Sequence, residues 1–147
     1  MKKDIAVNKK AYHDYAIEET FEAGIALMGS EIKSIREGKV SLKESYVAFV
    51  NGEAFVKDMH IAVYKQATYN NHDEYRERKL LLHKREIKKL ANKCKIQGYT
   101  VVPLKMYFKD GKVKLEIALA KGKTLYDKRE SDKQRAMERA AKQALRI

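Results

Sequence analysis

"YTVVPLKMYFKDGKVKLEIALAK", residues 99–121, decides how this chain folds. Two strand-like runs flank Asp110-Gly111, a pair that tolerates the two left-handed residues of a type I′ turn, so the stretch predicts an antiparallel hairpin. Val113, Leu115, Ile117 and Leu119 alternate with Lys114, Glu116 and Ala118, as in a strand with one buried face. Pro103 has no N–H to give to a ladder, which predicts an edge or a bulge there. Gly122-Lys123-Thr124 looks like the end of a nucleotide phosphate loop, but such a loop needs a glycine five residues earlier, where this chain has Ile117. Ile117 belongs to the alternation, and the phosphate-loop reading fails.

The same signals recur upstream. "YVAFV" and "EAFVKDMHI" flank Asn51-Gly52 and predict another hairpin. "YAIEETFEAGIALMG", residues 15–29, alternates Tyr15, Ile17, Glu19 and Phe21 with Ala16, Glu18, Thr20 and Glu22, a strand with carboxylates on both faces. A short helix should follow, capped by Ser30, with Met28, Ile32 and Ile35 at helical spacing and Gly38 just past its end. Residues 64–82 read as a long polar link. After it, a helix from about Lys84 to Ile96 stops at Gly98; it has a stripe of Ile87, Leu90, Ala91 and Cys94, with Lys84, Arg85, Lys88, Lys89, Lys93 and Lys95 elsewhere on its surface. Short strands, tight turns and no βαβ rhythm favour a mainly β fold, a small closed or partly closed antiparallel barrel with flanking short helices.

At 147 residues and 44% hydrophobic, the chain can bury about two-thirds of its unfolded surface without staples. The single Cys94 points to a reducing compartment rather than a disulfide scaffold. No run approaches the roughly 20 apolar residues of a bilayer span, and "MKKDIAVNKK" lacks a signal-peptide core, so the expectation is a soluble cytoplasmic protein without a membrane partner. The net charge is +12, unevenly placed: residues 1–60 hold 9 basic and 10 acidic groups, residues 61–147 hold 23 and 10. That asymmetry calls for a polyanionic partner.

The division expected is a barrel domain over residues 1–120 and a basic tail over 121–147. The tail holds 9 basic and 4 acidic groups and too little apolar bulk for a core of its own. Ser131 and Gln134 form a capping box, and Lys128, Arg135, Arg139, Lys142 and Arg146 fall along one helical seam. The tail is therefore expected to be disordered when free and helical against a polyanion.

His13, His60, His72 and His83 show no metal-ligand spacing with one another or with Cys94, and no metal or other cofactor is expected. Two histidines with lysines could still make a metal-independent ribonuclease, which sequence alone leaves open beside a general oligonucleotide-fold RNA binder. Binding is better supported: basic groups interleave with Tyr64, Tyr69, Tyr75, Tyr99, Tyr107 and Tyr126, offering phosphate neutralisation and flat surfaces for unpaired bases.

Five strings, "NKKAYHDYAIEETFEAGIAL", "GSEIKSIREGK", "RKLLLHKREI", "VPLKMYF" and "ALAKGKTLYDKRE", run in order from Asn8 to Glu130 and closely resemble the SmpB family, which binds transfer-messenger RNA. The resemblance implies an oligonucleotide-binding (OB) type barrel that grips the tRNA-like domain of that RNA, and no catalysis. It further implies trans-translation. Delivered with elongation factor Tu, the complex enters stalled ribosomes, the body stands in for an anticodon arm, and the tail enters the decoding centre and empty mRNA channel. The incomplete polypeptide is then tagged for degradation. Nothing suggests more than a monomer.

By the same resemblance Glu22, Leu81 and His83 match RNA-binding positions. Arg76, Arg78, Lys79, Lys84 and Arg85 would neutralise nearby phosphates, and Lys121, Gly122 and Lys123 would face RNA at the joint between barrel and tail. Tyr126, Asp127, Lys128 and Arg129, with Lys133, Arg135, Arg139, Lys142 and Arg146, would meet the ribosome. Two departures stand out: "HIAVY" where the family often has His-Ile-x-Pro-Tyr, and Thr124 where a basic residue is common. The tail, ending at Ile147, would reach less far into the channel.

Overall fold

The computed structural model describes residues 3–63 and 72–123. Among them are nine strands and three helices: β1 (Lys3–Val7), α1 (Lys9–Asp14), β2 (Tyr15–Ile25), α2 (Gly29–Arg36), β3 (Val40–Ser41), β4 (Tyr46–Val50), β5 (Glu53–Lys57), β6 (His60–Ile61), β7 (Arg78–Leu81), α3 (Lys84–Cys94), β8 (Tyr99–Lys109) and β9 (Lys112–Gly122). β8, β4, β5, β7, β2 and β9 pair in that order, and β9 pairs back with β8, which closes an antiparallel barrel. β1 adds beside the second half of β8, and β3 and β6 form a separate short ladder.

Both hairpins turn as their dipeptides require. Asn51 and Gly52 have φ of 51° and 76°, Asp110 and Gly111 have 52° and 76°, so all four turn residues are left-handed. Pro103 marks a bulge, since the β8–β9 register shifts between Pro103 and Lys105. The other edge of β8 meets β4 at Val101 before the bulge and β1 from Lys105 onward.

Leu115, Ile117 and Leu119 of β9 point into the barrel with Val101, Met106, Leu80, Val56 and Ala23, and Ile35, Ile87 and Leu90 of the helices complete that core. A smaller cluster lies outside the barrel wall, where Ala11 of α1 covers Val102, Leu104, Ala118 and Ala120. Neither β1 nor α1 is foreseen by the alternation rule. Both depend on Asn8, a buried side chain that accepts the Ala11 N–H at 3.2 Å and donates to the carbonyls of Leu42 and Pro103 at 3.1 and 3.0 Å.

Three further expectations change. Ser30 does not cap α2; its hydroxyl is 2.9 Å from Nδ1 of His72, while the Met28 N–H at the helix start donates to Glu31 Oε1 at 2.8 Å. The polar link contains β7, a barrel strand. β9 does not stop at Ala120: Lys121 and Gly122 pair with Ala16 and Tyr15, and the Lys123 N–H donates to the Asp14 carbonyl at 2.9 Å. The remainder of the tail, with Tyr126, Asp127, Lys128, Arg129, Lys133, Arg135, Arg139, Lys142 and Arg146, lies outside the described residues.

Candidate nucleic-acid interface

β7 lies between two neighbours: Ala54, Phe55 and Val56 of β5 pair with its residues 78–80, and Gly24 and Ile25 of β2 pair with Leu81 and Leu80. Its burial alternates, with Arg78 and Leu80 inward and Lys79 and Leu81 outward. Leu80 is in the core, whereas Leu81 is 56% exposed, so barrel packing does not account for Leu81. Two residues later His83 stands exposed at the N-cap of α3, its N–H donating to Glu86 Oε1 at 3.1 Å.

A groove of about 750 Å³ opens where β2, the Asn51-Gly52 turn, β7, α3 and β9 meet. Glu22, Lys79, Leu81, His83 and Lys84 all line it, so five positions singled out in the sequence converge. Its other charges are largely occupied. Glu53 pairs with Lys79 at 3.3 Å, and Glu86 serves the helix start. Glu22 accepts from the Tyr107 hydroxyl at 2.5 Å and from Lys109 Nζ at 3.3 Å. Burial and then the Glu22 carboxylate push the Tyr107 phenol well above its ordinary range, so it remains a donor that fixes Glu22. Carboxylate oxygens accept more than one bond, which leaves Glu22 able to accept a hydrogen bond from a base amino group.

Arg78 is corrected from phosphate contact to internal strut. It is fully buried, with Nε on Glu31 Oε2, Nη1 2.6 Å from the Met59 carbonyl, and Nη2 reaching the carbonyls of Asp73 and Glu74. No phosphate can reach it. Arg76 is half-buried and also tied to Glu31, at 2.6 Å. Glu31 has no exposed side-chain surface. Burial alone would raise its pKa, but the bonds from Arg76, the Met28 N–H and Arg78 outweigh that and hold the carboxyl below its usual range.

Arg85 is exposed on α3 but does not line the groove. Lys121, Gly122 and Lys123 lie at the far end of β9, seven or more residues from the groove residue Lys114, about 24 Å along a strand. There Lys121 and Lys93 each approach the Tyr99 ring, 5.7 Å from its centre. Among the groove residues that the sequence did not single out as contacts are Lys114 and Gly24, beside Asn51, Gly52, Glu53 and Glu86. Lys114 had a signal, as an outward position of the β9 alternation; Gly24 had none.

The histidines stand on different elements: His13 beside Asp14, His60 beside Glu74 and Tyr75, and His72 buried between Ser30 and the Ile61 carbonyl. Burial pushes the Cys94 thiol up, away from nucleophilic reactivity. Among the described residues no three His, Cys, Asp or Glu side chains are gathered where a metal ion could be held, and no helix is long and apolar enough to cross a membrane.

The family model for SmpB protein matches residues 5–147. The SsrA-binding protein of Persephonella marina is 61% identical over 137 residues, covering 93% of this chain and 90% of that one. The SsrA-binding protein of Geobacillus kaustophilus is 56% identical over 144 residues, 98% of this chain and 93% of its own. A solved structure described as "tmRNA-SmpB: a journey to the center of the bacterial ribosome" superposes with a TM-score of 0.69 at 48% identity, over 91% of this chain and 94% of the other. The chain belongs to the SmpB protein family.

Proposed function

We infer that this chain binds transfer-messenger RNA and serves trans-translation, the rescue of stalled ribosomes with tagging of the incomplete polypeptide. The observation that carries this reading is the convergence of Glu22, Leu81 and His83 on one groove in a member of this family. An exposed leucine beside a hydrogen-bonding histidine and a fixed carboxylate suits an unpaired base: Leu81 lies against its face or sugar, His83 donates, and Glu22 accepts from an amino group. Lys79, Lys84 and Arg85 position phosphates without reading sequence. Arg78 has no part in this contact.

The protein itself performs no bond-breaking chemistry on this reading. It acts in the cytoplasm as a monomer, delivered to the ribosome with elongation factor Tu. Its barrel grips the tRNA-like domain, and residues 124–147, with Lys121–Lys123 at their root, enter the decoding centre and mRNA channel.

Binding to transfer-messenger RNA and to an unrelated structured RNA, each at low and high salt, tests the reading. Contacts to phosphate alone discriminate poorly and fall steeply with salt. A preference for transfer-messenger RNA that persists at high salt and shrinks in Leu81→Ala and His83→Ala is expected; equal affinity for both RNAs overturns the reading.

A further inference from the structure

A second hollow adjoins the groove across Leu81. It measures about 380 Å³ and lies between α2 and the tip of the β8–β9 hairpin. Its floor is apolar: Ile25, Leu27, Ile32, Phe108 and Val113, all half-buried. Its rim carries Arg36, Lys112 and Lys114 and no acidic side chain. Among the described residues these three cations have no side-chain partner, whereas Lys79, Lys89 and Lys109 each pair with a glutamate. Three positive charges around an apolar floor, without side-chain partners among the described residues, complement a ligand that is flat in its middle and anionic at its ends.

Gly24, Leu81 and Lys114 line both hollows. A Cβ on Gly24 would stand 3.2 Å from the Leu81 Cβ, so glycine lets Leu81 sit as a low ridge between them. A strand of RNA leaving the groove can cross that ridge without a break.

We propose that this hollow is a second nucleotide subsite, in which an unstacked base of the single-stranded RNA held by the groove lies on the apolar floor while flanking phosphates meet Arg36, Lys112 and Lys114. The proposal rests on the RNA-binding reading above. The ligand is a single-stranded nucleotide rather than a duplex, because a paired base cannot turn its face to the floor. The flat side of Phe108 and the branched chains of Leu27, Ile32 and Val113 are indifferent to base identity, so the subsite adds affinity and direction more than sequence choice.

The test uses the full chain in a Cys94→Ser background with a photoactivatable group attached at Lys112→Cys or, in the groove, at Lys79→Cys. Irradiation with transfer-messenger RNA should crosslink both, to neighbouring nucleotides of one single-stranded segment. A crosslink at position 79 without one at 112 overturns the subsite and leaves the groove reading intact; no crosslink at either overturns both. A crosslink from 112 only to protein, a second copy of this chain, assigns the hollow to that partner and also overturns the proposal. An affinity measurement separates base binding from charge alone. Lys112→Glu should weaken binding and flatten its salt dependence, while Leu27→Ala, in the loop before α2, should weaken it severalfold at unchanged slope. Full affinity in Leu27→Ala shows a purely electrostatic rim and removes the base from the proposal.

Discussion

Glu31 and Arg78 are 47 residues apart in the chain, both fully buried, and bonded to one another. Removing one partner of such a pair strands the other charge away from water, so Glu31→Ala should lose about 3–5 kcal/mol of stability in denaturant titrations. The pH dependence has a defined sign. A carboxyl held below its usual range in the folded state stabilises at neutral pH, and that contribution is lost as pH falls through the folded-state value. The urea midpoint of the native chain should therefore drop on acidification below about pH 4, and Glu31→Gln should remove part of that drop while lying lower throughout. Leu81 is the opposite case. At 56% exposure, Leu81→Ala should leave stability within about 0.5 kcal/mol, yet weaken RNA binding by about 1 kcal/mol, roughly fivefold. Similar losses of stability and binding would mean that Leu81 serves packing instead.

At the scale of elements, what could be read in the sequence was local. Asn51-Gly52 and Asp110-Gly111 announce their hairpins because the turn geometry depends on the dipeptide itself, and Pro103 announces its bulge because it lacks an N–H. β7 was hidden inside "YRERKLLLHK", since its inward residue Arg78 is a charge made tolerable only by Glu31 on α2. That same contact turned an expected phosphate ligand into a strut, and no spacing rule could have shown it. The convergence of Glu22 with Leu81 and His83 likewise follows from β2 pairing with β7, a tertiary fact, although the residues themselves were recognisable from the family resemblance. β1 and α1 were illegible for a related reason: they hang on Asn8, whose partners Leu42 and Pro103 are 34 and 95 residues away. Asn8→Ala should cost about 1–3 kcal/mol. Asn8→Asp should do no better, although Asp is as good a helix cap, because its carboxylate cannot donate to the two carbonyls and is repelled by them. Thermal melts of the two variants decide this, and recovery by Asp would show that only the cap mattered.

On the scale of the whole molecule, the groove and the departure of the tail lie at opposite ends of β9, so gripping RNA and reaching into the ribosome can be separated by truncation. Where the chain is cut matters. Cutting after Ala120 deletes Lys121, which pairs with Ala16 and Tyr99, and Gly122, which pairs with Tyr15 and donates to the Gly98 carbonyl; it also deletes the Lys123 N–H bond to Asp14. Cutting after Lys123 keeps all of these. Residues 124–147 hold 7 basic and 4 acidic groups, so the shorter chain retains +9 of the +12 charge and the field that draws RNA to it. The 1–123 protein should therefore melt at nearly the native temperature and bind transfer-messenger RNA within a few-fold of the full chain, while tagging on stalled ribosomes disappears. The 1–120 protein should melt several degrees lower, because one end of the last barrel strand has lost its ladder bonds. Loss of RNA binding in 1–123 with its melting temperature intact would mean that the tail, rather than the groove, grips the RNA. Equal melting of the two truncations would place the end of the barrel at Ala120 after all.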